Sequence, residues 1–408
     1  MSKTKRRNRH DTVQNQKNKA RISRNQVHRT TGAFRKGFHS DGLNQRQGDG
    51  IVDDQCGVVG QCPQPVESPW RKMNRFFDKM GGIFKVSADL GQGVVNGIAG
   101  DYLSARNNGL SQKMAFYHKG EPLSLTWRGV RAAHPDAGEK VVVMVHGLCC
   151  NEVLFGFPGE PETDYGTLLN KDLGYTPFYL RYNTGLHISE NGREFNRMME
   201  ELFSVWPGKI SEIVLIGHSM GGLIIRSACH YGIEKGSAWT RAVSRVFYLG
   251  SPHLGAPLEK VGNTFTWLLK AVPTAYTWVV ADLINLRSAA IKDLRFGYVI
   301  DEEWKGHNPD ELLKNRRQKA ELLPHARHYT VAGTLNRDPD HPVTKAIGDI
   351  LVRIPSAVPP ASGVKNAPVF EAENQVVFPG LHHFALAAHP KVYEQIKSWC
   401  LEESNPQP

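Results

Sequence analysis

IVLIGHSMGGLII, residues 213–225, sets an aliphatic run against Gly-His-Ser-Met-Gly and then opens a second aliphatic run. Residues 213–216 do not alternate apolar with polar, so they read as a strand buried on both faces, the kind found inside a parallel sheet covered by helices. The continuation to residue 236 has helical spacing. Ser219 stands at the joint of strand and helix. Gly217 and Gly221 flank it because the turn is tight and side chains there would crowd neighbouring backbone. The helix after Met220 aims free N–H groups and the positive end of its dipole at the serine, which favours negative charge developing on oxygen. In this setting Gly-x-Ser-x-Gly is a nucleophile elbow, with Ser219 the candidate nucleophile.

Working outward, residues 140–147 (KVVVMVHG) and 175–183 (YTPFYLRYN) predict strands, 193–206 a helix, and 211–218 the strand before the elbow. Further strands are expected at 244–252, 327–335 and 374–380. Strand and helix alternate through short connections, with no internal repeat, which implies an α/β fold: a mostly parallel sheet with helices on both faces. The rhythm breaks at about 258–326. There FTWLLKAVPTAYTWVVADLI, residues 265–284, has apolar side chains at helical intervals interrupted by Pro273. A long insertion of this kind is expected to form a helical lid or cap.

The net charge of +10 across 408 residues is unevenly placed. Residues 1–50 hold 13 Lys/Arg and 3 Asp/Glu, which accounts for the whole surplus, and the remaining residues balance. A nucleic-acid-binding body is therefore not expected. Residues 1–65 read as a basic tail too poor in apolar side chains to fold, suited to an anionic surface or the periphery of a membrane. Residues 66–118 read as an N-terminal helical segment, 119–402 as the main domain and 403–408 as a short tail. No apolar stretch follows the N-terminal charges as in a secretory leader, and no apolar segment is long enough to span a bilayer. A cytoplasmic location with reduced thiols is the expectation. The six cysteines fit it: Cys149 and Cys150 are adjacent, Cys56 and Cys62 lack zinc-site partners, and Cys229 and Cys400 sit in helical patterns.

A serine elbow needs a second oxyanion donor from the loop after an earlier strand. VVVMVHGLCCNE, residues 141–152, supplies it. The N–H of Leu148 is expected to share the oxyanion hole with the N–H of Met220. His146 then shapes the loop, and the neighbouring thiols line the pocket without competing as nucleophiles.

At this point the chain resembles a known family, the α/β-hydrolase lipases and esterases, and within it the bacterial PGAP1-like group. The resemblance spans about residues 95–402. It rests on GIAGDYLSARNNGLSQKM (97–114), VHGLCCNE (145–152), RYNTGLHISENGR (181–193), GHSMGGL (217–223), LGSPHLGAPLE (249–259) and IKDLRFGYVIDEEW (291–304), in that order. It implies a serine hydrolase acting on carboxylic esters with neither metal nor organic cofactor. The triad acid is implied within GDILVRIPSA (348–357), which matches the family block at Asp349 and departs from it at Ile350. An acid placed directly after the preceding strand would instead be Asp338, with Asp340 and Glu373 as further alternatives. The base is expected in PGLHHFALAAHP (379–390), where the family spacing to Phe384 and Leu386 selects His383 over His382; His389, before Pro390, suits a helix cap.

The resulting expectation is an esterase or lipase for an apolar small-molecule or lipid ester. The same three residues would serve a thioesterase or acyltransferase. A non-catalytic binding protein on the same fold, working through its basic tail, is the rival from another class.

Overall fold

The computed structural model describes residues 104, 111–160, 162–256, 288–307, 315–334, 354–359 and 364–402. The expected basic tail, most of the N-terminal helical segment, and the cap helices of residues 265–284 lie outside these residues.

An eight-stranded sheet organises the rest. A hairpin of β1 (Ala115–His118) and β2 (Glu121–Pro122) forms one edge. Residues 115–118, at the end of the segment the sequence predicts as helical, pair as a strand antiparallel to β4, with Phe116 buried against Phe178. After helix α1 (Trp127–Ala133) come β3 (Lys140–Val145), α2 (Tyr165–Leu173), β4 (Thr176–Arg181), α3 (Ile188–Val205) and β5 (Glu212–His218). The elbow leads into α4 (Met220–Lys235), then β6 (Val243–Leu249), α5 (Ala289–Phe296), β7 (Arg327–Thr334), β8 (Gln375–Pro379) and α6 (Pro390–Leu401).

The spatial order is β2-β1-β4-β3-β5-β6-β7-β8, and every pairing from β4 to β8 is parallel. The chain runs from β3 outward to β4, then crosses back to lay β5 on the other side of β3. That reversal is a topological switch point, and a crevice opens there beyond the carboxyl ends of β3 and β5.

Successive residues of the central strands feed two separate cores, because side chains on a strand alternate between faces. Val141, Val143 and Val145 join Leu215, Tyr248 and the buried sides of α3 and α4. Val142, Met144 and Ile216 join Phe247, Val331, α2 and α6 on the opposite face. Each fully buried aliphatic side chain contributes roughly 1.5–3 kcal/mol, so the uninterrupted VVV and IVLI runs stabilise both layers at once. The portion of the long insertion that is described belongs to the body: Ala290, Leu294, Val299, Ile300, Ala320 and Leu323 are buried in the α3–α4 core. Among the described residues no helix is long and apolar enough to cross a membrane.

Candidate active site

The register of β3 on β5 pairs Val145 with Gly217, so the two strands end level and their following loops meet at the crevice. Ser219 turns there with φ 54° and ψ −123°. A non-glycine residue in this region costs about 1–3 kcal/mol and persists only where its surroundings hold it. The hold comes from both sides: Ser219 N–H donates to the Leu249 carbonyl at 2.8 Å, and Gly222 N–H donates to the Ser219 carbonyl at 3.1 Å. The glycines have a steric cause. A Cβ at Gly217 would lie 2.5 Å from the Gly222 nitrogen, and one at Gly221 would overlap the Val145 carbonyl. Met220, fully buried, is the first residue of α4, so its N–H is one of the helix-end donors that no turn of the helix can satisfy.

The loop after β3 lies against this serine. A Cβ at Gly147 would stand 3.0 Å from the Ser219 Cβ, so the backbone just before Leu148 passes close beside the serine. Several bonds fix the loop. Cys149 has a left-handed φ of 61°, and its N–H donates to Thr184 Oγ1 at 3.2 Å. Cys150 N–H donates to the Gly147 carbonyl at 3.3 Å. At its far end Glu152 receives both arms of the Arg181 guanidinium. His146 stacks on Tyr182 with ring centroids 4.6 Å apart; the Tyr182 hydroxyl donates to the His146 carbonyl, and His146 Nδ1–H donates to the Gly147 carbonyl. Burial holds the His146 imidazole down to about 4, so it is neutral at physiological pH. Burial also pushes the Cys150 thiol up to about 12 and Cys149 well above its ordinary value. Neither thiolate is populated near neutrality.

The histidine doublet divides by geometry. His382 is half-buried, precedes the 3-10 turn His383–Ala387, and caps it: its Nδ1 accepts the Ala385 N–H at 3.3 Å. His383 is 2% exposed. Its ring lies over Gly250, where a Cβ would come within 3.0 Å of both Cε1 and Nδ1. Gly250 directly follows Leu249, whose carbonyl holds the Ser219 N–H. His218 also packs against His383, its ring tilted at 57° with centroids 4.7 Å apart, and donates Nε2–H to the His383 carbonyl at 3.0 Å. The turn is anchored by Leu386 and Ala387, buried in the α2–α6 core, and by the Tyr165 hydroxyl bonded to the Leu386 carbonyl. His389 caps α6, its Nδ1 accepting the Lys391 N–H.

Asp338, Asp340 and Asp349 lie outside the described residues. Glu373 is exposed and directly precedes β8, at the end of the strands away from the elbow. The groups that sequence reasoning passed over are His218, Gly250 and Thr184. His218 and Thr184 stand within stretches singled out above, GHSMGGL and RYNTGLHISENGR, but nothing local reveals which strands their loops will touch. Among the described residues, no group of three or more His, Cys, Asp or Glu side chains is placed to hold a metal ion.

The model of the PGAP1-like alpha/beta domain family matches residues 188–315, from the start of α3 through the elbow and past the end of α5. No curated protein matches the chain. Among solved structures, the mature lipase BlEst2 of Bacillus licheniformis is 18% identical over 65% of this chain and 94% of its own, with a TM-score of 0.41. A Pyrococcus furiosus esterase is 13% identical over 64% of this chain and 80% of its own, with a TM-score of 0.38. The RedJ thioesterase of Streptomyces coelicolor is 13% identical over 66% and 93%, with a TM-score of 0.37. These TM-scores are below 0.5, so the α/β-hydrolase fold rests on the strand order and the elbow themselves. The chain resembles the PGAP1-like alpha/beta domain and has that fold.

Proposed function

We propose that this protein is a serine hydrolase that cleaves carboxylic esters through Ser219, His383 and Asp349. One observation supports the reading: the elbow at Ser219 has a positive φ, its N–H is held by the Leu249 carbonyl, and the buried ring of His383 packs over the next residue, Gly250. A strained serine at a switch-point crevice, with a buried imidazole over the strand end that holds it, fits nucleophilic catalysis.

In this reading Ser219 Oγ attacks the ester carbonyl while His383 takes its proton. The oxyanion settles on the Leu148 and Met220 N–H groups, which are fixed before substrate arrives and need no reorganisation. Collapse of the tetrahedral adduct expels the alcohol, which receives the proton from His383, and leaves an acyl-serine. Water then attacks with His383 as base, releasing the acid and restoring the serine. Asp349 holds the imidazole tautomer and stabilises the imidazolium. The apolar sequence of residues 265–284 suits an acyl chain or other apolar ester. The basic residues 1–50 serve contact with an anionic surface rather than the chemistry.

A fluorophosphonate probe and a panel of p-nitrophenyl esters test this. Wild type is labelled and turns over; Ser219→Ala and His383→Ala lose both, Asp349→Asn loses turnover, and His382→Ala and Asp338→Asn retain it. Deleting residues 1–50 leaves hydrolysis of a soluble short-chain ester intact. Absence of Ser219-dependent labelling refutes the hydrolase, whereas loss in Asp338→Asn with retention in Asp349→Asn moves only the acid.

A further inference from the structure

Behind the elbow, on the α4 side of β6, lies a group of polar side chains that the proposed reaction does not use. Arg226, two turns into α4, is 3% exposed, and its Nε and Nη1 have no hydrogen-bond partner. His253 is fully buried and neither ring nitrogen has one. Its imidazole meets Tyr248 edge-on at 4.8 Å and Phe370 at 4.9 Å. Arg317, also buried, spends one arm on the Phe296 carbonyl and leaves Nε without a partner. The Ser251 hydroxyl, against Gly222 one helical turn before Arg226, is likewise buried without a partner.

Charge makes the cluster more demanding still. Arg226 feels the field of Arg317, and among the described residues the carboxylate that faces both is Glu303. Glu303 is already occupied, accepting the N–H groups of Val299, Ile300 and Gln318. Among the described residues, two buried guanidiniums against one carboxylate leave one excess positive charge out of water. An uncompensated buried charge costs several kcal/mol. Tyr248 offers no relief through its proton, which goes to His328 Nδ1 at 3.0 Å, while His328 Nε2–H goes to the Leu323 carbonyl. Guanidinium groups only donate, so water, which needs acceptors as well, satisfies the hydrogen bonds without cancelling the charge.

We propose that Arg226, Arg317 and His253 hold a small monovalent anion of halide type inside the fold. It accepts from the Arg226 Nε and Nη1, the Arg317 Nε and a His253 N–H, and it neutralises the excess charge. A cavity of about 640 Å³ lined by His328 and Phe370, among others, lies next to the cluster, since the same Phe370 ring packs on His253. The site bridges the nucleophile helix α4 and the Ser251–Gly255 loop that follows Gly250, so occupancy braces the frame of the elbow. This inference stands independently of the hydrolase reading.

Thermal unfolding of the full chain, with chloride titrated against gluconate at constant ionic strength, tests it. A saturable rise on the order of 2–4 °C with chloride is expected, and bromide-soaked crystals show an anomalous peak within hydrogen-bond distance of Arg226 Nε. Arg226→Met, which keeps volume and removes charge, abolishes the halide response. A midpoint indifferent to halide, a response undiminished in Arg226→Met, or a chamber holding only water overturns the proposal. If Arg226→Met does not fold, the bromide map of wild type decides.

Discussion

The rings of His218 and His383 meet at a tilt of 57° with centroids 4.7 Å apart, and the first donates Nε2–H to the backbone carbonyl of the second. Burial drives the His218 imidazole well below its ordinary value, and the neighbouring His383 adds to the effect, so His218 is a neutral prop. In the proposed reaction it positions His383. His218→Ala opens space beside the proposed base and removes the bond to its backbone. The expected result is a fall in kcat of about 10–100-fold with KM little changed, since small misplacements of a reacting group have effects of this size. Steady-state kinetics separate the two constants, and a change confined to KM would contradict the positioning role.

Ser219 stores strain in the folded state. Glycine adopts φ 54° without the steric cost that serine bears. Ser219→Gly should therefore abolish ester turnover and raise unfolding stability by about 1 kcal/mol, read as a higher urea midpoint at unchanged slope. A less stable Ser219→Gly protein would mean that the elbow is not strained.

Gly250 contributes space for a ring. It has φ +63°, and a Cβ there would reach within 3.0 Å of His383. Gly250→Ala is expected to push the imidazole away from Ser219, lowering kcat by about 10–100-fold while the chain still folds. Gly221→Ala instead drives a methyl into the Val145 carbonyl, so it should cost several kcal/mol of stability along with activity. Circular dichroism and kinetics on the pair distinguish a displaced base from a broken elbow.

Acid should unfold the protein earlier than its carboxylates alone would require. Burial holds His146 and His328 at about 4, against about 6.5 in the unfolded chain. Between those values the unfolded state binds the proton and the folded state does not, so stability is full above about pH 6.5 and falls as pH drops towards 4. Each histidine contributes up to about 1.4 kcal/mol per pH unit in that window. His218 and His253, both well below the ordinary value, act in the same direction. The raised carboxyls of Asp293 and Glu303 oppose the trend. Urea midpoints measured from pH 7 to pH 4.5 check the sum; His146→Gln should remove one proton's share of the slope.

Much of the frame is legible in the chain because burial on two faces leaves an unmistakable pattern. Residues 140–145 and 212–218 read as strands before any partner is known, and the elbow between β5 and α4 follows from glycines whose Cβ atoms have nowhere to go. The edge hairpin is different. β1 and β2 are four and two residues long and half-exposed, so neither composition nor period marks them. Choosing His383 over His382 depends on which side of a 3-10 turn faces Gly250, a relation across more than 130 residues of chain that no local spacing encodes.

The sheet also acts as a partition. Ser219 belongs to the layer that α3 and α4 build on one face, whereas His383 rides on a turn rooted by Leu386 and Ala387 in the layer of α2 and α6 on the other. The proposed nucleophile and base are thus tethered to different hydrophobic reservoirs. Substitutions deep in one reservoir should have additive effects with those in the other, yet each can shift the gap between serine and imidazole. Turnover in such a molecule gauges the alignment of two cores, and it should decline on warming while both remain folded.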